Sequence, residues 1–214
     1  MKLDVKICGI STTEALEAAH RGGARYVGFV FYPPSPRAVS VSLAAQLARA
    51  VPTGMRTVGL FVEPSDDELE QVVSQVPLDV VQLHGEERPG RVAEVRAQTS
   101  VPVMKALRIA TADDLAEVDA FAEAADSLLF DARLPKSVTS LPGGNGITFD
   151  WSLLTGLEVT KPWMLSGGLT SKNLAEAVTV TGAKAVDASS SVEDRPGHKD
   201  PGLIREFLAT AAAI

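Results

Sequence analysis

Eight short runs of β-branched and large apolar residues recur along the chain, and each is followed by a stretch patterned as a helix. The runs fall at residues 3–7, 26–31, 57–62, 79–83, 101–107, 127–130, 162–165 and 183–186. The helical stretches fall at 13–21, 42–50, 66–76, 88–98, 112–123, 151–155, 171–181 and 201–212. Strict strand–helix alternation leaves little choice of architecture. Parallel strands need a crossover between them, and a helix supplies it. The expectation is α/β: one (β/α)8 barrel domain spanning residues 1–214. An open doubly wound sheet is the competing arrangement. The first strand–helix junction lacks a G-x-G-x-x-G turn, which counts against a dinucleotide version of that sheet.

Bulk composition narrows the partners. With 214 residues and 45% hydrophobic content there is enough apolar material for a sizeable core. The net charge of -7 repels phosphate backbones and anionic lipid, so neither nucleic acid nor membrane is expected as a partner. A small anionic substrate stays possible, because a local donor cluster can bind it against the global field. One cysteine forms no intrachain disulfide, and three scattered histidines do not suggest a structural zinc site. No signal-peptide pattern opens the chain, so a cytoplasmic protein is expected.

In such a barrel, chemistry sits where strands end. The single cysteine, Cys8, lies at the end of the first run. Strand alternation puts Leu3, Val5 and Ile7 toward the helices and Lys6 and Cys8 toward the mouth. Cys8 reads either as a small core filler or as a thiol that exchanges protons, with Lys6 as the neighbouring cation that would lower its pKa. Asp131 follows Leu128-Leu129-Phe130 and reads as a loop cap or as a desolvated acid. Gln82 and His84 share inward parity at the end of the fourth run, as substrate hydrogen-bonders or rim residues. Arg37 closes a stiff proline-rich loop, Tyr32-Pro33-Pro34-Ser35-Pro36, where its fork could meet a carboxylate. Three turns look like anion cradles: Gly143-Gly144-Asn145-Gly146, Ser166-Gly167-Gly168 and Ser189-Ser190-Ser191. The second and third follow strands seven and eight, where barrels commonly bind phosphate.

These segments together resemble the phosphoribosylanthranilate isomerase family of tryptophan biosynthesis. The resemblance rests on Lys6-Ile7-Cys8-Gly9-Ile10, Gly28-Phe29-Val30-Phe31-Tyr32-Pro33-Pro34-Ser35-Pro36-Arg37, Val81-Gln82-Leu83-His84-Gly85-Glu86, Lys105-Ala106-Leu107-Arg108, Phe130-Asp131, Gly143 to Trp151, Leu165-Ser166-Gly167-Gly168-Leu169 and Lys199-Asp200-Pro201. It runs nearly end to end and in order. It implies a (β/α)8 barrel catalysing an Amadori rearrangement of a phosphosugar, without metal or organic cofactor. It also implies Asp131 as general acid, Cys8 as general base, and Arg37 facing the anthranilate carboxylate. Gly144, Gly146, Gly167, Gly168, Ser189 and Ser190 would then hold phosphate. Cys8 argues against the related histidine-pathway isomerase, which would pair two aspartates. Ser191 stands where the family usually carries glycine, and would be strained if that position needs a positive φ. A monomer is expected, with a dimer left open, because the outer helices carry no extra apolar stripe.

Overall fold

The computed structural model describes residues 3–133, 146 and 148–214. Eight parallel strands close into a barrel, with β1 hydrogen-bonded to both β2 and β8. They are β1 (Asp4–Cys8), β2 (Tyr26–Phe31), β3 (Arg56–Phe61), β4 (Val80–Leu83), β5 (Val103–Ile109), β6 (Ser127–Ala132), β7 (Trp163–Leu165) and β8 (Ala185–Ala188). The helices are α1 (Thr13–Arg21), α2 (Val41–Arg49), α3 (Asp66–Val73), α4 (Pro89–Thr99), α5 (Val118–Ala124), α6 (Leu174–Thr181) and α7 (Pro201–Ala212). A two-stranded hairpin absent from the sequence expectation, β9 (Glu193–Arg195) and β10 (His198–Lys199), lies between β8 and α7.

Local chemistry explains most boundaries. Ser65 accepts from the Glu68 N–H while Glu68 accepts from the Ser65 N–H, a reciprocal cap that starts α3. Gly182 ends α6 in the left-handed conformation. Two expectations need correction. The stretch 112–123 is not one helix: Asp114 takes the N–H groups of Ala110 and Thr111, closing a 3-10 turn at Ala112–Leu115 before α5 begins. The stretch 151–155 is likewise a 3-10 turn, Trp151–Leu154, capped by Asp150.

Strand parity decides where side chains go. Leu3, Val5 and Ile7 join the main core between sheet and helices, as expected. A separate cluster of Val58, Val80, Met104, Ala106, Leu129 and Met164 takes the opposite parity and fills the barrel. Cys8, Val30 and Leu60 form a third cluster, near the strand ends. The inward positions of β1 and β8 then bring Lys6 opposite Asp187 in register.

Candidate active site at the barrel mouth

One cleft at the C-terminal ends of the strands is lined by Cys8, Ser35, Arg37, His84, Asp131, Ser166, Asp187 and Ser189, with Val30, Tyr32 and Leu60 as its more apolar walls. Larger cavities exist elsewhere: about 540 Å³ at the opposite barrel end and about 630 Å³ beside β5 and α5. Neither contains Cys8 or Asp131.

Cys8 is buried, and Gly28 on the paired strand makes the space for it: a Cβ there would lie 3.0 Å from Sγ. Beneath it, the fully buried Lys6 Nζ donates to Asp187 Oδ1 at 3.0 Å. Ser166 Oγ donates to the other Asp187 oxygen at 3.4 Å. Burial lowers the Lys6 pKa, but Asp187 and the thiol outweigh it and hold the ammonium above its usual value. Lys6 pulls the Cys8 pKa down, as expected, but the net shift is upward. Burial pushes the Cys8 thiol up, and the pull of Lys6 and Lys199 does not overcome it, because Asp187 pushes the same way as burial. Lys6 is the nearest cation, as expected, but its charge is already spoken for by a carboxylate.

Asp131 ends β6 almost fully buried. Its Oδ1 accepts from the Ala132 N–H at 2.9 Å and its Oδ2 lies 3.0 Å from His84 Nε2. Gln82 Nε2 lies 3.0 Å from His84 Nδ1. An amide N–H only donates, so Nδ1 accepts and the ring proton sits on Nε2, aimed at Asp131, a tautomer that follows from the hydrogen-bond network. Gln82 has no exposure, and among the described residues its Oε1 has no partner and its contact with a cleft residue is the one to His84. Gly167 (φ +87°) is required by crowding as well as by its backbone angle: a Cβ would lie 2.7 Å from Ala132 N and 3.3 Å from Asp131 Oδ1.

Arg37 is buried and held on two sides. Its Nε and Nη2 donate to the two oxygens of Glu193, at 2.7 and 2.8 Å. Lys199 Nζ donates to the same carboxylate at 2.5 Å and to Ser189 O at 3.1 Å. Burial opposes ionisation of Glu193, but Arg37 and Lys199 win and hold its carboxyl below the usual range. Both cations crowd Gly9, the residue after Cys8. Sequence reasoning missed Glu193, Gly28 and Asp187. Glu193 stood beside the third serine turn, and Asp187 stood at an inward parity position of its strand.

The turns after β7 and β8 sit at the strand ends. Asn173 Nδ2 donates to Gly168 O and fixes the turn after β7. Ser189 Oγ donates to Cys8 O, tying the β8 turn to β1. Gly146 lies beside Ser190, whose Oγ would be 3.7 Å from a Cβ at that glycine. Gly143, Gly144 and Asn145 lie outside the described residues. Ser191 sits in a 3-10 turn and is not among the positive-φ residues, so the strain expected there is absent.

Fold and cleft define a (β/α)8-barrel enzyme. The family model for N-(5'-phosphoribosyl)anthranilate isomerase matches residues 5–210. The isomerase of Rhodospirillum centenum is 62% identical over 214 residues, the full length of both chains. That of Paracoccus denitrificans is 54% identical over 100% of this chain and 99% of its own. A crystal structure of a phosphoribosylanthranilate isomerase in complex with reduced 1-(o-carboxyphenylamino)-1-deoxyribulose 5-phosphate superimposes with a TM-score of 0.86. It is 33% identical and covers 99% of this chain and 100% of that one. The Thermotoga maritima enzyme superimposes at 0.87 with 34% identity, over 99% and 100% of the two chains. The chain belongs to the N-(5'-phosphoribosyl)anthranilate isomerase family, an isomerase of tryptophan biosynthesis.

Proposed function

We propose that Asp131 is the general acid and Cys8 the general base of the Amadori rearrangement of N-(5-phosphoribosyl)anthranilate. The observation that carries this reading is their meeting in one buried cleft, from β6 and β1, which Arg37, Ser166 and Ser189 also line. Asp131 gives a proton to the furanose oxygen, the C1–O bond breaks, and the nitrogen lone pair forms a C1=N iminium. The carboxylate left behind is stabilised by the His84 and Ala132 N–H groups. The Cys8 thiolate then takes the C2 proton, and the released pair forms the enolamine, which tautomerises to the ketone. The resting thiol is mostly protonated, and the thiolate forms by release of its proton to solvent before the C2 proton is taken. The iminium created in the first step is the positive charge that favours the thiolate when the base is needed.

The product analogue bound by the solved relative carries the two anions this cleft is suited to hold. Arg37 takes the carboxylate. The backbone N–H groups around Gly146, Gly167, Gly168, Ser189 and Ser190 take the phosphate. We place the enzyme in the cytoplasm, where a free thiol stays reduced. We also propose one domain and a monomer. Among the described residues Ile214 is the single exposed large hydrophobic, which supports the monomer. Among the described residues no helix is long and apolar enough to cross a membrane.

The test is turnover of the substrate followed by loss of anthranilate fluorescence, with Cys8→Ala and Asp131→Asn alongside. Wild type should turn over. Each variant should lose kcat by about 10²–10⁴-fold while keeping affinity for the reduced product. Near-normal turnover by either variant sinks the assigned roles.

A further inference from the structure

The hairpin formed by β9 and β10 pairs Lys199 directly with Glu193, so both side chains emerge side by side. They are 1% and 4% exposed. At the hairpin's turn, Gly197 packs so closely on the Pro36 carbonyl that no side chain fits there. The hairpin thus clasps the proline-rich loop and presents Glu193 to Arg37. The contact is bidentate, so it fixes both the position and the plane of the guanidinium. Ser35 Oγ accepts from the Arg37 N–H and steadies the same residue from its own loop.

The charges decide what such a cluster is for. Arg37 and Lys199 carry two positive charges and Glu193 one negative, leaving one net positive charge, enough to balance one carboxylate. A carboxylate placed near the binding position of another would be counterproductive if charge alone mattered. Its use lies in geometry: without it, two long cations would repel each other and leave their positions.

We propose that Glu193 is a specificity-determining positioning residue, holding the Arg37 guanidinium so that substrates with a carboxylate on the aromatic amine are selected over those without. This rests on the reading of Arg37 as the partner of that carboxylate. Glu193→Gln leaves one oxygen that can accept from Arg37 Nε and Lys199 Nζ but puts an NH2 donor where the second oxygen took Arg37 Nη2, so the bidentate grip and the negative charge are both lost.

The experiment compares kcat/KM for N-(5-phosphoribosyl)anthranilate with that for N-(5-phosphoribosyl)aniline, which lacks the carboxylate. Glu193→Gln should cut the ratio by about tenfold or more, mainly through KM for the anthranilate substrate. The aniline substrate should be affected far less. A ratio that is unchanged, or that rises because a repelling charge has gone, overturns the proposal. Arg37→Ala separates the two readings. If it leaves the ratio intact, the carboxylate role of Arg37 fails. If it collapses the ratio while Glu193→Gln does not, only the present proposal fails. Should Glu193→Gln not fold, Glu193→Asp keeps the charge but is one methylene short of spanning both donors. It should lower the ratio in the same direction, and an unchanged ratio there also overturns the proposal.

Discussion

Replacing Lys6 with Met removes one member of a buried ion pair and strands the other. Nζ and Asp187 Oδ1 are 3.0 Å apart, with side chains 0% and 5% exposed. At that separation and an effective dielectric of ~20, the attraction is about 5.5 kcal/mol, and desolvation of the two charges offsets much of it. The cost of deleting one partner is dominated by the carboxylate left unpaired, about 3–5 kcal/mol. At about 2–4 °C per kcal/mol for a chain of this size, Tm should drop by roughly 6–20 °C. Adding Asp187→Leu removes the stranded charge, and most of the lost stability should return. Activity should not return with it, because Lys6 is one of the two cations drawing Cys8 toward the thiolate. Urea unfolding of wild type, single and double variants reads the first effect, and turnover reads the second. A single variant costing under about 1 kcal/mol, or a double variant less stable than the single, would refute the electrostatic reasoning.

Alkylation of Cys8 by iodoacetamide should be slow at neutral pH and still rising past the ordinary thiol value of about 8.5, because burial raises its pKa. A rate that plateaus below that value contradicts this. The same shift has a stability sign: with the folded pKa above the unfolded one, the contribution is complete below about 8.5 and is lost as pH rises through the folded value, which urea unfolding against pH would show. Gly28→Ala places a methyl 3.0 Å from Cys8 Sγ, so kcat should fall by about tenfold or more with KM little changed, and normal turnover would exclude a positional role for that glycine. His84→Asn removes a hydrogen bond to a charged group worth about 1.5–3 kcal/mol, so kcat should fall by about 10–150-fold; a loss confined to KM would instead mark His84 as a substrate ligand.

The barrel was legible in the sequence because β–α alternation has few physical solutions. Inward placement of Lys6, Cys8, Gln82 and His84 was legible because strand parity is rigid. Ionisation was not. The charge of Lys6 is balanced by a residue 181 positions away, and burial of the thiol is set by the closed barrel rather than by its neighbours in sequence. The hairpin was missed because strands of three and two residues are too short to carry periodicity. With it went Glu193, and so the observation that Arg37 is held by a carboxylate as well as by stiff prolines. The stretch 112–123 misled for a local reason: its apolar pattern is helical, but Asp114 bonds backwards to the backbone and breaks the run into a turn and a short helix.

The central claim is that Asp131 as acid and then Cys8 as base act in sequence on the ribose. Substrate deuterated at C2, incubated with each variant and with a hydride reagent that traps the Schiff base, separates the two steps. The account predicts that Cys8→Ala accumulates trapped Schiff base and retains its deuterium, whereas Asp131→Asn yields neither ring opening nor deuterium loss. Loss of the C2 deuterium in the Cys8→Ala variant at the wild-type rate would contradict it.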